Sequence, residues 1–290
     1  MDHQSKSHLL FFILLLSVFY SCQKASKIQK FPYHSHSTEA IYRYRTGWQQ
    51  IMDEGFYGKA EKSYQKAMIH DPDFLMAKSV YARLILDTDE RLQLYKEVEN
   101  KKLTVTGYER MLLDVYQSLV NYTNLRAQNH PNAKDTLQKT LQLAEKNLGS
   151  IIQKYPDEIH IKAEYIEIIH SLYGDRAALD TLAKITTSEQ RLNPFLMGYA
   201  AELEANLGNY ETAFRKADSL SIFFKDLQVP KPHVVWASLH FKNKNLEKAA
   251  MEIDIAYKMD SRNLDASRLR TRIYDALQKK QDSIRVLKSY

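Results

Sequence analysis

With 290 residues, 44% apolar and 26% charged, the chain has the composition of a folded body and not of a disordered one. Eight Gly and seven Pro are too few turn formers for a sandwich or barrel of many short strands, which leaves long helices with brief connections. The net charge of +6 is interspersed with acids, as in ELEANLGNYETAFRKADS; that is the pattern of a solvated helical surface, and no nucleic-acid partner is expected.

The first element in chain order is a leader, residues 1–21. MDHQSKSH supplies Lys6, LLFFILLLSVFY supplies twelve almost wholly apolar residues, and Ser21 and Cys22 follow. A run of that length is short for a membrane-spanning helix, which needs about 20 apolar residues, and suits the apolar region of an export signal. Cys22 is the sole cysteine, behind a small residue, so no intramolecular disulfide is possible. This arrangement resembles the lipobox of bacterial lipoproteins, with Phe19 standing where Leu, Val or Ile is usual. The resemblance implies cleavage before Cys22 and acylation of its thiol, and such chains anchor firmly at about 0.8 kcal/mol per buried CH₂. QKASKIQK after the cysteine lacks the acidic residues that resemble inner-membrane retention or surface-export signals. The expected location is therefore the cell envelope, on the periplasmic face of an outer membrane.

Residues 22–38 are expected to be the lipidated cysteine and a flexible linker, since QKASKIQKFPYHSHS has neither helical nor strand periodicity. His34 and His36 stand two apart, but without a third ligand or a rigid frame the expectation is a solvated segment and no metal.

From residue 39 to 290 amphipathic segments of helix length alternate with punctuation. Gly174 and Gly208 are 34 apart, the triplet Asn243-Lys244-Asn245 is centred 36 beyond Gly208, and Pro156, Pro194 and Pro230 follow at spacings of 38 and 36. Such a period in a helical chain marks an array of helix pairs. Pairs are expected near 39–72, 73–103, 106–155, 157–190, 194–229 and 231–260, with a closing pair from Asn263 onward.

The stretch GFYGKAEKSYQKAMIHDPDF carries the resemblance that names the array. Gly55 and Tyr57, then Ala60, Tyr64 and Ala67, then Asp71 and Pro72 match the second half of a tetratricopeptide repeat. LGNYETAFRKADSL repeats it with Gly208, Tyr210, Ala213 and Ala217. NKNLEKAAMEIDIAYKMDS repeats it with Leu246, Ala249, Ile253, Ala256 and Asp260, Lys244 taking the glycine's place and a neighbouring Asn expected to supply the left-handed turn. Two other segments depart from the pattern. LYGDRAALDTLAKIT has Arg176 at the aromatic position, and IYRYRTGWQQIMDE has Gly47 and Trp48 where a large and then a small residue are usual. The resemblance implies an all-α fold, a right-handed α-solenoid of tetratricopeptide-like helix-turn-helix repeats.

Chemistry has little to stand on. No phosphate loop, dinucleotide-binding glycine pattern, Gly-x-Ser-x-Gly elbow or His-Glu-x-x-His motif occurs. In EIHIKAEYIEIIH the residues His160, Glu164, Glu167 and His170 share one helical arc, and the expectation is a polar stripe left in water with no metal. No catalytic residue and no cofactor is expected. By the resemblance, first-helix residues line a concave groove, which makes Tyr42, Arg45, Gln49, Phe195 and Glu202 the candidate contacts to a partner. The implied function is a non-catalytic scaffold or assembly factor for envelope proteins or their peptide segments, attached to the membrane through its lipid. The alternative is the glycan- or small-molecule-binding component of an envelope uptake system.

Overall fold

The computed structural model describes the backbone of residues 30–288 and the side chains of residues 30–281. The described residues from Phe31 onward form one compact unit. The leader and Cys22 lie outside the described residues.

This unit is all-α, with twelve α-helices and no strand among the described residues. They are α1 Thr38–Trp48, α2 Tyr57–His70, α3 Leu75–Leu84, α4 Thr88–Lys101, α5 Gly107–Ala127 and α6 Ala133–Lys154 in the first half. There follow α7 Ile159–Ile185, α8 Pro194–Asn206, α9 Tyr210–Phe223, α10 Pro230–Lys242, α11 Leu246–Met259 and α12 Leu264–Lys288. Neighbours in sequence pack as antiparallel partners, and first helices of successive pairs also touch, α3 on α5, α8 on α10 and α10 on α12. Apolar burial follows this arrangement in one large cluster from Phe31 to Leu203 and two smaller ones toward the C-terminus.

Local chemistry sets the helix ends. Ser37 caps α1 by accepting the Ala40 N–H, Asp87 caps α4, and Asn193 caps α8 ahead of Pro194 at its first turn, where a missing N–H costs nothing. Gly55, Gly174 and Gly208 take the left-handed turn at φ 83°, 85° and 84°. Gly174, at φ 85° and ψ −177°, breaks α7 into two helical stretches with no intervening loop, at the turn expected within the pair at 157–190. At the corresponding turn between α10 and α11 Lys244 itself adopts φ 63°, in place of the neighbouring Asn that the sequence suggested; Asn245 instead caps α11 by accepting the Lys248 N–H. Pro72 sits in the turn before α3 and does not begin that helix, and the expected closing pair is the single helix α12.

Ala60, Tyr64 and Ala67 are fully buried between α1 and α2. Gly47 follows from that packing, since a Cβ there would lie 2.5 Å from the Tyr64 ring. Beyond Trp48 the chain widens into a π-helix, Gln49–Glu54, which rests on α8 and α10.

Residues 31–37, expected within the solvated linker, are seated on the body. Phe31 is buried against Tyr155, and its N–H donates to Glu158 at 2.9 Å. The His34 backbone N–H and ring both reach Glu109, and Asp71 accepts from Ser35 Oγ and the His36 N–H. A pattern without periodicity concealed a docked strand-like run, because its partners are carboxylates between 35 and 127 positions away.

The first pair also meets the turn before α12 and the start of that helix. Asn263 Nδ2 donates to the Gly55 carbonyl at 2.8 Å, Asp260 accepts the Gly58 N–H at 3.0 Å, Arg262 pairs with Glu61, and Tyr57 Oη donates to Asp265 at 2.6 Å. Four contacts across about 200 residues of sequence close the array end to end.

Candidate functional site

Three of the five candidate contacts come together. Tyr42, Arg45 and Gln49 succeed one another at helical spacing along α1 and its π-helical extension, and all line one cleft of about 280 Å³. The opposite wall is the start of α7, residues Asp157 to Ile161, and the floor holds Trp48 and Tyr116. Tyr42 is exposed at 57%, with the Arg43 guanidinium 5.3 Å from its ring centroid.

The cleft is held open by paired charges. Arg45 grips Glu158 with both terminal nitrogens, at 3.0 and 2.8 Å, and its guanidinium lies 5.2 Å from the Tyr33 ring centroid. His160 Nε2 donates to Asp53 at 3.0 Å, Asn193 Nδ2 donates to the other Asp53 oxygen at 2.9 Å, and the imidazole stacks on Trp48. Burial pushes the Tyr33 and Tyr116 hydroxyls well above their ordinary pKa, so both are neutral donors. With the Asp53 and Glu158 carboxylates and the imidazole engaged, the wall offers hydrogen bonds and ring faces.

Phe195 and Glu202 lie elsewhere, on α8. Phe195 is buried and stacks on Tyr199, with its face under Lys231 Nζ at 4.5 Å. It borders a second cavity of about 300 Å³ between α1, the π-helix, α2, α3, α7, α8, α10 and α12. Glu202 is half-buried; desolvation raises its pKa, and the Lys242 and Lys231 charges pull the other way.

The stripe of α7 expected to stay in water faces inward. Glu164 is buried, accepting from Arg83 at 2.8 Å and Tyr116 Oη at 2.5 Å. Burial opposes the Arg83 charge, and Glu164 more than restores it. Glu167 lines the second cavity. Burial, then the charges of Glu164 and Asp265, push its carboxyl up to about 8. His170 meets Tyr199 Oη at 2.6 Å and Asp175 at 3.1 Å. Sequence reasoning missed the roles of Asp53, Glu158 and Asn193, because pairs separated by 107 to 140 positions leave no spacing signal.

No cluster of three or more His, Cys, Asp or Glu able to hold a metal occurs among the described residues, and none of their helices is long and apolar enough to cross a membrane. No protein-family model, curated protein or solved structure matches the chain.

Proposed function

We propose that the protein is a non-catalytic binding module of the cell envelope, an array of tetratricopeptide-like helix pairs tethered through a lipid on Cys22 at the periplasmic face of an outer membrane. Its partner is an envelope protein or peptide segment, and its role is that of a scaffold or assembly factor. The observation that carries this reading is the convergence of Tyr42, Arg45 and Gln49 on one cleft with an exposed aromatic at its lip. Exposed Tyr and Arg are favoured contact residues at interfaces. A photo-crosslinking side chain placed at Tyr42 should yield a discrete adduct with an envelope protein, whereas one at Ile69, exposed on α2, should not. Equal yields from both positions would sink the assignment of the cleft.

The tether has its own test. Cys22→Ser should abolish palmitate labelling and release the protein from the membrane fraction; a labelled, membrane-bound variant would rule out acylation at this position.

A second reading is favoured by the cleft's dimensions and walls. A bounded pocket with the exposed Tyr42 ring at its lip beside planar Arg45 and Glu158 suits one or two sugar rings of a glycan brought in by an uptake system. Tyr42→Ala is the clean probe of oligosaccharide binding, because Trp48 is only 7% exposed and its removal would disturb the core.

A further inference from the structure

The second cavity is separate from the cleft and carries its own chemistry. Its charges are accounted for in pairs. Arg83 holds Glu164, while Asp265 accepts from Tyr57 and reaches Arg268 at 4.0 Å. Two ionisable groups on its wall remain over, the ammonium of Lys231 on α10 and the carboxyl of Glu167 on α7. Among the described residues neither takes part in an ion pair or a side-chain hydrogen bond, so the two stand farther apart than the 4.0 Å of a salt bridge. Lys231 is steadied by the face of Phe195 beneath it.

A monovalent anion would satisfy Lys231 and leave Glu167 without a partner, and a simple cation would do the reverse. We propose that this cavity binds a small zwitterion of the α-amino acid type, its carboxylate on Lys231, its ammonium on Glu167, and its apolar part against Phe195 and Trp48. The volume of about 300 Å³ lies at the lower end of small-molecule sites, which limits the ligand to a single amino acid or one of similar bulk. The site goes beyond the partner cleft and stands or falls independently of it.

Proton exchange distinguishes this ligand class from a plain carboxylate. Glu167 faces Glu164 on its own helix, Arg83 of α3, Lys231 of α10, and Asp265 and Arg268 of α12. With its carboxyl pushed up to about 8 it is largely protonated at neutral pH, and an incoming ammonium favours the ionised form. The full-length chain is titrated calorimetrically at pH 7 with the twenty common L-amino acids, in two buffers of different ionisation enthalpy. At least one should bind with release of up to about one proton, as the raised carboxyl requires. Glu167→Gln and Lys231→Met should each weaken that ligand tenfold or more while leaving the helical circular dichroism unchanged. The matching acid without its amino group should bind at least tenfold more weakly and release no proton. The proposal is overturned if no amino acid binds, if the deaminated acid binds equally well, if Glu167→Gln retains native affinity, or if binding takes up protons. The proton count is read on the native chain, so the test survives poor folding of either variant.

Discussion

Lys244 holds φ 63° between α10 and α11, where Gly208 holds 84° between α8 and α9 with no atom within 4 Å of a would-be Cβ. The cost of a side chain at either turn is thus purely one of backbone conformation, about 1 kcal/mol for an L-residue in this region. Lys244→Gly should stabilise the protein by about 0.5–1 kcal/mol and Gly208→Ala should destabilise it by about 1 kcal/mol, read from urea midpoints. Glu167 gives a pH-dependent counterpart. Its carboxyl, raised from 4.5 to about 8 by burial and neighbouring charge, binds its proton more tightly folded than unfolded. The stability it contributes is complete below about pH 4.5 and is lost as pH rises through 8, because the folded state must then bury the charge. Unfolding free energy should fall between pH 5 and 9 by an amount on the order of a few kcal/mol, and Glu167→Gln should remove most of that slope. Asp71 acts in the opposite direction. Burial works against its charge, but bonds from Ser35, His36 and Asp73 prevail and lower its pKa, so its contribution is lost on acidification.

At the scale of elements, Asn263 joins two tasks in one side chain. Its Oδ1 caps α12 by accepting the Ala266 N–H at 2.8 Å, and its Nδ2 bonds the Gly55 carbonyl that ends the π-helix. Asn263→Ala should cost about 2 kcal/mol in thermal or urea unfolding, and Asn263→Asp, which retains the cap but sets a buried carboxylate against the Gly55 carbonyl, should cost at least as much. Helix pairing and the turns at Gly55 and Gly208 were readable from sequence, because capping, left-handed glycine and 3.6-residue periodicity act within a few positions. The direction of a polar stripe was not. His160, Glu164, Glu167 and His170 were correctly placed on one arc of α7, yet periodicity cannot tell water from an inner wall that α10 and α12 later cover. The same holds for the cleft: Tyr42, Arg45 and Gln49 share a face by local spacing, while Asp53, Glu158 and Asn193 reach them only through the tertiary fold.

For the whole molecule, the contact of the first pair with the turn before α12 and the start of that helix determines which residues face each other across the interior. Reversing its ion pair tests that dependence directly. Arg262→Glu places a carboxylate against Glu61, and amide exchange at residues 55–61, two hundred positions away in sequence, should accelerate about tenfold or more. Restoring complementarity with Glu61→Arg should slow it again; unchanged exchange in the single variant would mean that the closing contact carries no weight.

That closure also bears on how the molecule can vary over time. An open row of repeats tolerates gain or loss of a unit, since each interface is made only with the neighbour. Here the register between Glu61 and Arg262 is satisfied by one number of helix pairs alone, and an added or deleted pair would separate Asn263 from the Gly55 carbonyl. The number of pairs is therefore a fixed property of this architecture, and diversification is channelled into side chains of the inner face and away from the length of the array.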